Sequence, residues 1–276
     1  MRRRWRLFRR HRLGVAGAVI AGALLIAAAG APILARQDPL GMQMTQTLRP
    51  PSAQHWFGTD QFGRDVWARV IYGARLSVTV GFLTMVLATA AGVPLGAAAG
   101  YLGGIIDAVA MRLMDAVLAF PAILLAIGLV AALGPGTASG IAAIGIVYIP
   151  VLARVTRGAV LARHGEEYVA AARAIGETDL GILRRHVLPN SFAPILIQAT
   201  VGFASAVVIE AGLSFLGAGT PPPTPSWGSM VSEARQFMIV APHVAIFPGA
   251  AISLAVLGLN LLGDGMRDVF DPRLRS

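Results

Sequence analysis

The sequence predicts an all-α integral membrane bundle of about six transmembrane helices, on three observations. Of its 276 residues, 55% are hydrophobic and only 13% are charged, with a mean hydropathy of +0.67. The apolar residues gather into runs of about twenty, the length that carries a helix across a hydrocarbon core. The connections between these runs are unequal, some dense in arginine and others without charge. A bilayer accommodates that much unbroken apolar surface because a helix satisfies its own backbone polar groups there.

The elements follow in chain order. Residues 1–12, MRRRWRLFRRHR, form a basic N-terminus, and Leu13–Ala35 is the first span. That span is too long, and followed by too many others, to be a cleaved signal peptide. Residues 36–75 are an extracytoplasmic segment, and residues 76–276 the core domain. Its spans are Leu76–Gly100, Ile106–Leu133, Gly140–Leu161, Ser191–Leu216 and Val244–Gly263. Six spans leave both termini on one side. The N-terminal arginines, Arg154, Arg157, Arg163, Arg184 and Arg185 around a loop at residues 164–190, and Arg267, Arg273 and Arg275 at the end place that side in the cytoplasm. Segment 36–75 is an exception, since Arg36, Arg49, Arg64, Arg69 and Arg75 outnumber Asp38, Asp60 and Asp65. Moving it inside would invert every later loop, so it stays outside.

Within the spans, Gly92, Gly96 and Gly100 form a ridge that lets a neighbouring helix approach closely. Pro94, Pro121 and Pro150 are expected kinks, and Arg112 and Asp115, one turn apart, are expected to pair. Glu210 stands in the apolar run Ala206–Leu216 with no neighbouring cation. A lone acid at mid-helix costs on the order of 3 kcal/mol on insertion, so it is expected to face the interior or an aqueous path. Two roles stay open for it: a buried hydrogen-bonding group or, with Ser214, part of the lining of a translocation path.

The loops carry the motifs. After Asp65, Val66, Val70 and Ile71 recur at helical spacing, with Trp67 and Tyr72 suited to the headgroup level and Arg69 and Arg75 expected to face water. This pattern predicts an interfacial helix. His55, Asp60 and Asp65 suggest a metal site less than they suggest turns and caps, which are the commoner use of aspartates. The run Pro221–Gly228, PPPTPSWG, favours polyproline II with Trp227 as an interface anchor. Loop 164–190 is different, being long, polar and helix-forming. Alanine-rich Glu167–Ile175 predicts a short helix that Gly176 ends, and Leu188-Pro189 is expected to force the chain out of helix before the next span.

Several functions are excluded. The chain has no cysteine, which removes disulfides, thiolate metal sites and cysteine nucleophiles. Lysine is absent as well, so a P-loop lysine is missing and ATP chemistry must come from another subunit. The pI of about 11.3 does not imply a nucleic-acid partner, because basic residues abutting a span set topology and touch anionic lipid of the bilayer.

The loop pattern Ala170-Ala171-Ala172, three residues, Gly176, nine residues, then His186-Val187-Leu188-Pro189 resembles the EAA loop of ABC-importer permeases. Ala170 stands where that family has Glu, and His186 where it has Ile. The string GTDxxGRD at residues 58–65, Ala119-Phe120-Pro121, LSFLG at 213–217, PPPTPSWG and the ending at residues 260–273 are similar to dipeptide, oligopeptide and nickel permeases of the second type. The likeness runs from about residue 50 to the C-terminus; before that it is one of layout alone.

The resemblance implies the type I importer permease fold in a bacterial inner membrane. It implies a second, homologous permease subunit, two ABC ATPase subunits that bind ATP and Mg, and an extracytoplasmic solute-binding protein. This chain itself would be non-catalytic and bind no cofactor or metal. ATPase coupling falls to Glu167, Ala170, Ala171, Ala172, Gly176, Leu188 and Pro189. Contact with the binding protein is expected from Asp60, Arg64, Asp65, Pro225 and Trp227. The cargo is left open between peptides, nickel and other small solutes. The alternative, a self-sufficient secondary transporter, would need a coupling-ion site in the membrane, for which Glu210 is the sole candidate. An intramembrane hydrolase is weaker still, since no Ser/His or paired-carboxylate constellation falls within one span.

Overall fold

The structure is a computed structural model and describes residues 11–270. The arginines before residue 11, and Arg273 and Arg275, lie outside the described residues. Helices α1 (Arg12–Ala29) and α2 (Ala31–Leu34) cover the first expected span, broken at Gly30 because Pro32 opens the second helix. Helix α3 (Val66–Leu102) follows a long loop that includes a 3₁₀ turn at Met44–Gln46.

Helix α3 corrects two expectations. The interfacial helix after Asp65 is not a separate element but the start of a 37-residue helix that continues through the second span. Its apolar face packs inside the protein, where Val66, Val70 and Ala74 meet Ala21, Ala204, Val207, Trp227 and Leu259. Periodicity alone cannot tell a face that meets lipid headgroups from one that meets other helices. Arg69, expected in water, is 1% exposed, while Arg75 is exposed.

The third expected span is two helices, α4 (Gly104–Leu118) and α5 (Ala122–Leu133), bent by 89°. Pro121 stands at the break, where its missing N–H and fixed φ start α5 instead of kinking one helix. Then come α6 (Thr137–His164), α7 (Glu167–Ala174) and α8 (Asp179–Ile182). A π-turn at Leu183–Val187 leads through α9 (Leu188–Asn190) into α10 (Phe192–Phe215). After the proline-rich loop, α11 (Trp227–Ala234) and a 3₁₀ turn precede α12 (His243–Phe270). Among the described residues, five helices are long and apolar enough to cross a membrane, or six if the bent pair is counted as one span.

The spine of the bundle is α3 against α6. The glycine ridge explains their closeness: a β-carbon at Gly92 would lie 2.7 Å from the Ile149 carbonyl oxygen and one at Gly100 2.8 Å from that of Arg157. At Gly96 it would overlap the Ala153 carbonyl. Helices α5 and α10 complete this core with Ala126, Val130, Ala206 and Leu213 around Ile144 and Val147. Helix α10 also packs on α12, which pairs with α1.

Candidate functional site

At the cytoplasmic end, α7 sits on the ends of α3 and α6. Val169 and Ala172 turn inward and join Ala97, Tyr101, Val160, Ile182 and Val187 in one cluster. Glu167, Ala170, Ala171, Ala174 and Ile175 face out, and Ile175 is 84% exposed. Gly176 closes the helix with φ +82°. Its N–H donates to the Arg173 carbonyl, and the next N–H, of Glu177, donates to the Ala172 carbonyl, each at 3.1 Å. These two bonds make a Schellman cap, and the left-handed backbone is why glycine ends the helix. The Tyr101 hydroxyl donates to Asp179 at 2.9 Å, and Glu177 meets His186 at 2.8 Å.

Two expectations about this loop change. Ala172 is buried against its own chain, so it cannot lie on an outward docking face. Leu188-Pro189 does not take the chain out of helix. The π-turn passes the Leu188 N–H to the Leu183 carbonyl, and this widening relieves the clash that a proline ring makes with the carbonyl four residues before it. Leu188 is half-buried and Pro189 exposed.

At the extracytoplasmic end, GTDxxGRD folds into a compact turn. Asp60 accepts from the backbone N–H groups of Phe62 and Arg64 through Oδ1, and from Arg64 Nε through Oδ2 at 2.6 Å. Arg64 Nη2 reaches Glu233 on α11 at 2.7 Å, and Gln61 donates to the same oxygen. Arg69 lies behind them, 3.6 Å from Asp60 and 3.7 Å from Glu233. Asp65 caps α3 through the Ala68 N–H and pairs with His55 at 3.0 Å.

These side chains form an internal framework rather than a contact surface. Asp60, Arg64, Asp65 and Trp227 are each at most 4% exposed, and Pro225 is buried. These five side chains, the ones expected to meet a binding protein, lie inside the outer loops rather than on their surface. Trp227 is no interface anchor either: its Nε1 donates to the Val70 carbonyl at 2.8 Å. The proline-rich loop turns at Pro222–Pro223 instead of extending as one polyproline rod.

Glu210 lies close to this framework and is also buried. Its Oε1 accepts from Ser214 at 2.8 Å and from Ser226 at 3.2 Å, and its Oε2 from Ser77 at 3.5 Å. Three hydroxyls from α10, α3 and the N-cap of α11 thus solvate one carboxylate. Ser226 also caps α11 through the Ser229 N–H. Glu210 and Ser214 are each 4% exposed. Sequence reasoning missed Glu233, Ser77 and Ser226, although Glu233 is the sole acid between Gly217 and Pro242 and Ser226 stands at an N-cap position.

Arg112 and Asp115 do not pair. Asp115 binds Arg154 on α6, and Asp107 binds Arg157, with Nη2 to Oδ2 at 2.6 Å. Proximity along α4 was outweighed by arginines projecting from the helix beside it.

With this geometry in place, known proteins provide the frame. The family described as binding-protein-dependent transport system inner membrane component matches residues 92–276. The chain belongs to that family. The N-terminal TM domain of oligopeptide transport permease C matches residues 1–51, which corrects the view that this part agrees in layout alone. The dipeptide transport system permease protein DppC of Alkalihalophilus pseudofirmus is 44% identical, covering 100% of this chain and 90% of its own. A putative peptide transport system permease protein of Brucella abortus is 47% identical over 96% and 90%. The glutathione transport system permease protein GsiD of Escherichia coli is 43% identical over 99% and 90%. A chain of the inward-facing MetNI methionine ABC transporter superposes with a TM-score of 0.58, at 19% identity over 73% of this chain and 96% of that one. At that identity the likeness establishes the fold, which is that of a type I importer permease. This permease is accordingly a multi-pass inner-membrane protein.

Proposed function

We propose that the permease forms half of the path of an ABC importer for short peptides and that α7 is its coupling helix. The other half is a homologous permease; two ATPase subunits bind ATP and Mg, and an extracytoplasmic binding protein delivers the cargo. The peptide cargo is supported by relatives named for dipeptide, peptide and glutathione transport. The observation that carries the coupling role is the two-sidedness of α7. One side is fixed to α3 and α6, and the other offers Ala170, Ala171, Ala174 and exposed Ile175, a low-relief face with one apolar knob. Such a face suits a groove on another protein.

In this reading Asp60, Arg64, Asp65, Pro225 and Trp227 shape the outer loops from within. Glu210 and Ser214 hold α11 to the bundle at the outer end of the path. The serine shell around Glu210 supports this role over that of a coupling-ion site, since its nearest polar neighbours already occupy both carboxylate oxygens.

The test compares Ala171→Trp with Ala172→Trp. Overpacking a fitted contact costs about 1–3 kcal/mol. Ala171→Trp is expected to fold and insert normally yet lose co-purifying ATPase and ATP-driven uptake, while Ala172→Trp lowers the yield of folded permease. If Ala171→Trp retains both ATPase and uptake, α7 is not the coupling helix.

A further inference from the structure

Helix α4 buries little of its surface against the rest of the bundle. Met114 is its sole buried side chain. Ile105, Val109 and Leu113 along it are more than half exposed. At its start, Gly103 has φ +64° and ψ −154°, a backbone state that in practice needs glycine, and Gly104 follows with φ +55°. A β-carbon at either glycine would meet nothing within 4 Å. These glycines are thus required for the chain's direction rather than for close packing. At its other end the chain turns through 89° at Ala119–Pro121 into α5, which is anchored in the core by Ala126 and Val130.

A rigid segment between two pivots needs a lateral tie to have a defined position. The tie is a two-rung ladder to α6. Asp107 accepts from both Nε and Nη2 of Arg157, a bidentate pair, and Asp115 accepts from Arg154. Both arginines project from the cytoplasmic half of α6, which ends at His164 and passes through Gly165-Glu166 into α7. The first pivot adjoins the same region. Tyr101, two residues before Gly103, donates to Asp179 and accepts from Arg173 of α7 at 3.5 Å.

We infer that Arg154 and Arg157 are positioning residues that make α4 follow α6, so that a displacement of α7 swings α4 about Gly103-Gly104. Helix α4 then responds to the ATPases through α6 and α7. The inference rests on the reading of α7 as the coupling helix. The chemistry suits a moving tie: the rungs are partly exposed, with Arg154 and Asp115 at 49% and 54%, so they hold direction without fixing α4 as a buried apolar face would.

The permease has no cysteine, so one can be placed as a reporter without other changes. Phe120, 60% exposed at the second pivot, is replaced by Cys in the complete transporter. Its labelling by a maleimide is timed with and without ATP and vanadate. A state populated at about a tenth that becomes dominant changes such a rate about ten-fold, and that is the expected response. Asp107→Arg and Asp115→Arg are expected to abolish the response while ATPase still co-purifies and hydrolyses ATP. Asp107→Arg combined with Arg157→Asp, which rebuilds the rung in reverse, is expected to restore it. A merely structural contact would instead lower the yield of folded permease in the single variants and leave the labelling response of the transporters that do fold unchanged.

A parent transporter that hydrolyses ATP with no change in Phe120→Cys labelling overturns the ladder alone. So do single variants that respond as fully as the parent, and a reversed pair that stays silent. A permease that binds no ATPase overturns the α7 reading and, with it, this inference.

Discussion

Arginines and acids meet at both ends of the permease, and the two groups differ in their access to water. At the outer end Asp60, Arg64 and Arg69 are at most 3% exposed, and both arginines reach Glu233 on α11 as well as Asp60. At the inner end Arg154 and Asp115 each keep about half of their side-chain surface. Breaking a buried pair strands a charge and costs about 3–5 kcal/mol, whereas an exposed pair contributes about 0–1 kcal/mol. The outer group can therefore hold a shape, and the inner one can shift during a cycle without unfolding anything. The same residue types serve as a rivet in one place and a tie in the other, and burial decides which.

The sharpest way to break this comparison is Arg64→Ala. It leaves Asp60 and Glu233 facing Arg69 alone, and a loss of about 3–5 kcal/mol is expected, seen as poor yield and a lower Tm in detergent. An unchanged Tm would mean that the outer group is not a rivet. Gly228→Ala tests whether packing supports the same region, since an added β-carbon would overlap the Ala211 carbonyl on α10. A loss of about 1–3 kcal/mol is expected, again by thermal unfolding. Normal stability there would show that the contact between α11 and α10 gives way to an added methyl group.

Glu210→Gln sharpens the outer half further. It keeps a hydrogen-bonding group of nearly the same shape among Ser77, Ser214 and Ser226, so the change is worth about 1 kcal/mol. Uptake close to normal with a slightly lower Tm is expected. Abolished uptake at normal Tm would instead assign Glu210 to the path. Arg154→Gln should have the smallest effect on stability, within about 1 kcal/mol, and a large one on peptide uptake in proteoliposomes. A fall in Tm as great as that of Arg64→Ala would erase the contrast between the two ends.

Much of this was legible in the chain. The edges of α6 and α10 fall within three residues of the expected spans, because each is a long apolar run bounded by polar or glycine-containing connectors, whereas α12 starts one residue early and runs seven residues past Gly263 into its polar end. Gly176 was readable as a helix end because few residues other than glycine accept its backbone conformation. The glycine ridge was readable because its four-residue spacing is itself the packing surface. The 89° turn at Pro121 was not, since proline in a membrane helix is compatible with a mild kink or a full break, and the helices around it choose between them. The π-turn before Pro189 is of the same kind.

Entry into a membrane, the approximate number of crossings, the side on which the ends lie and the short helix in loop 164–190 that Gly176 ends are all written in the order of residues. Those properties are sums over neighbours: hydropathy over about twenty positions, arginine count per loop, turn chemistry at one glycine. Packing alone settles that Arg69 is buried, that Glu233 stands beside it, that Trp227 points inward and that Asp115 answers to Arg154 rather than Arg112. Each depends on what lies across a helix interface from a residue distant in the chain, and a pairing of that kind leaves no local mark on either segment.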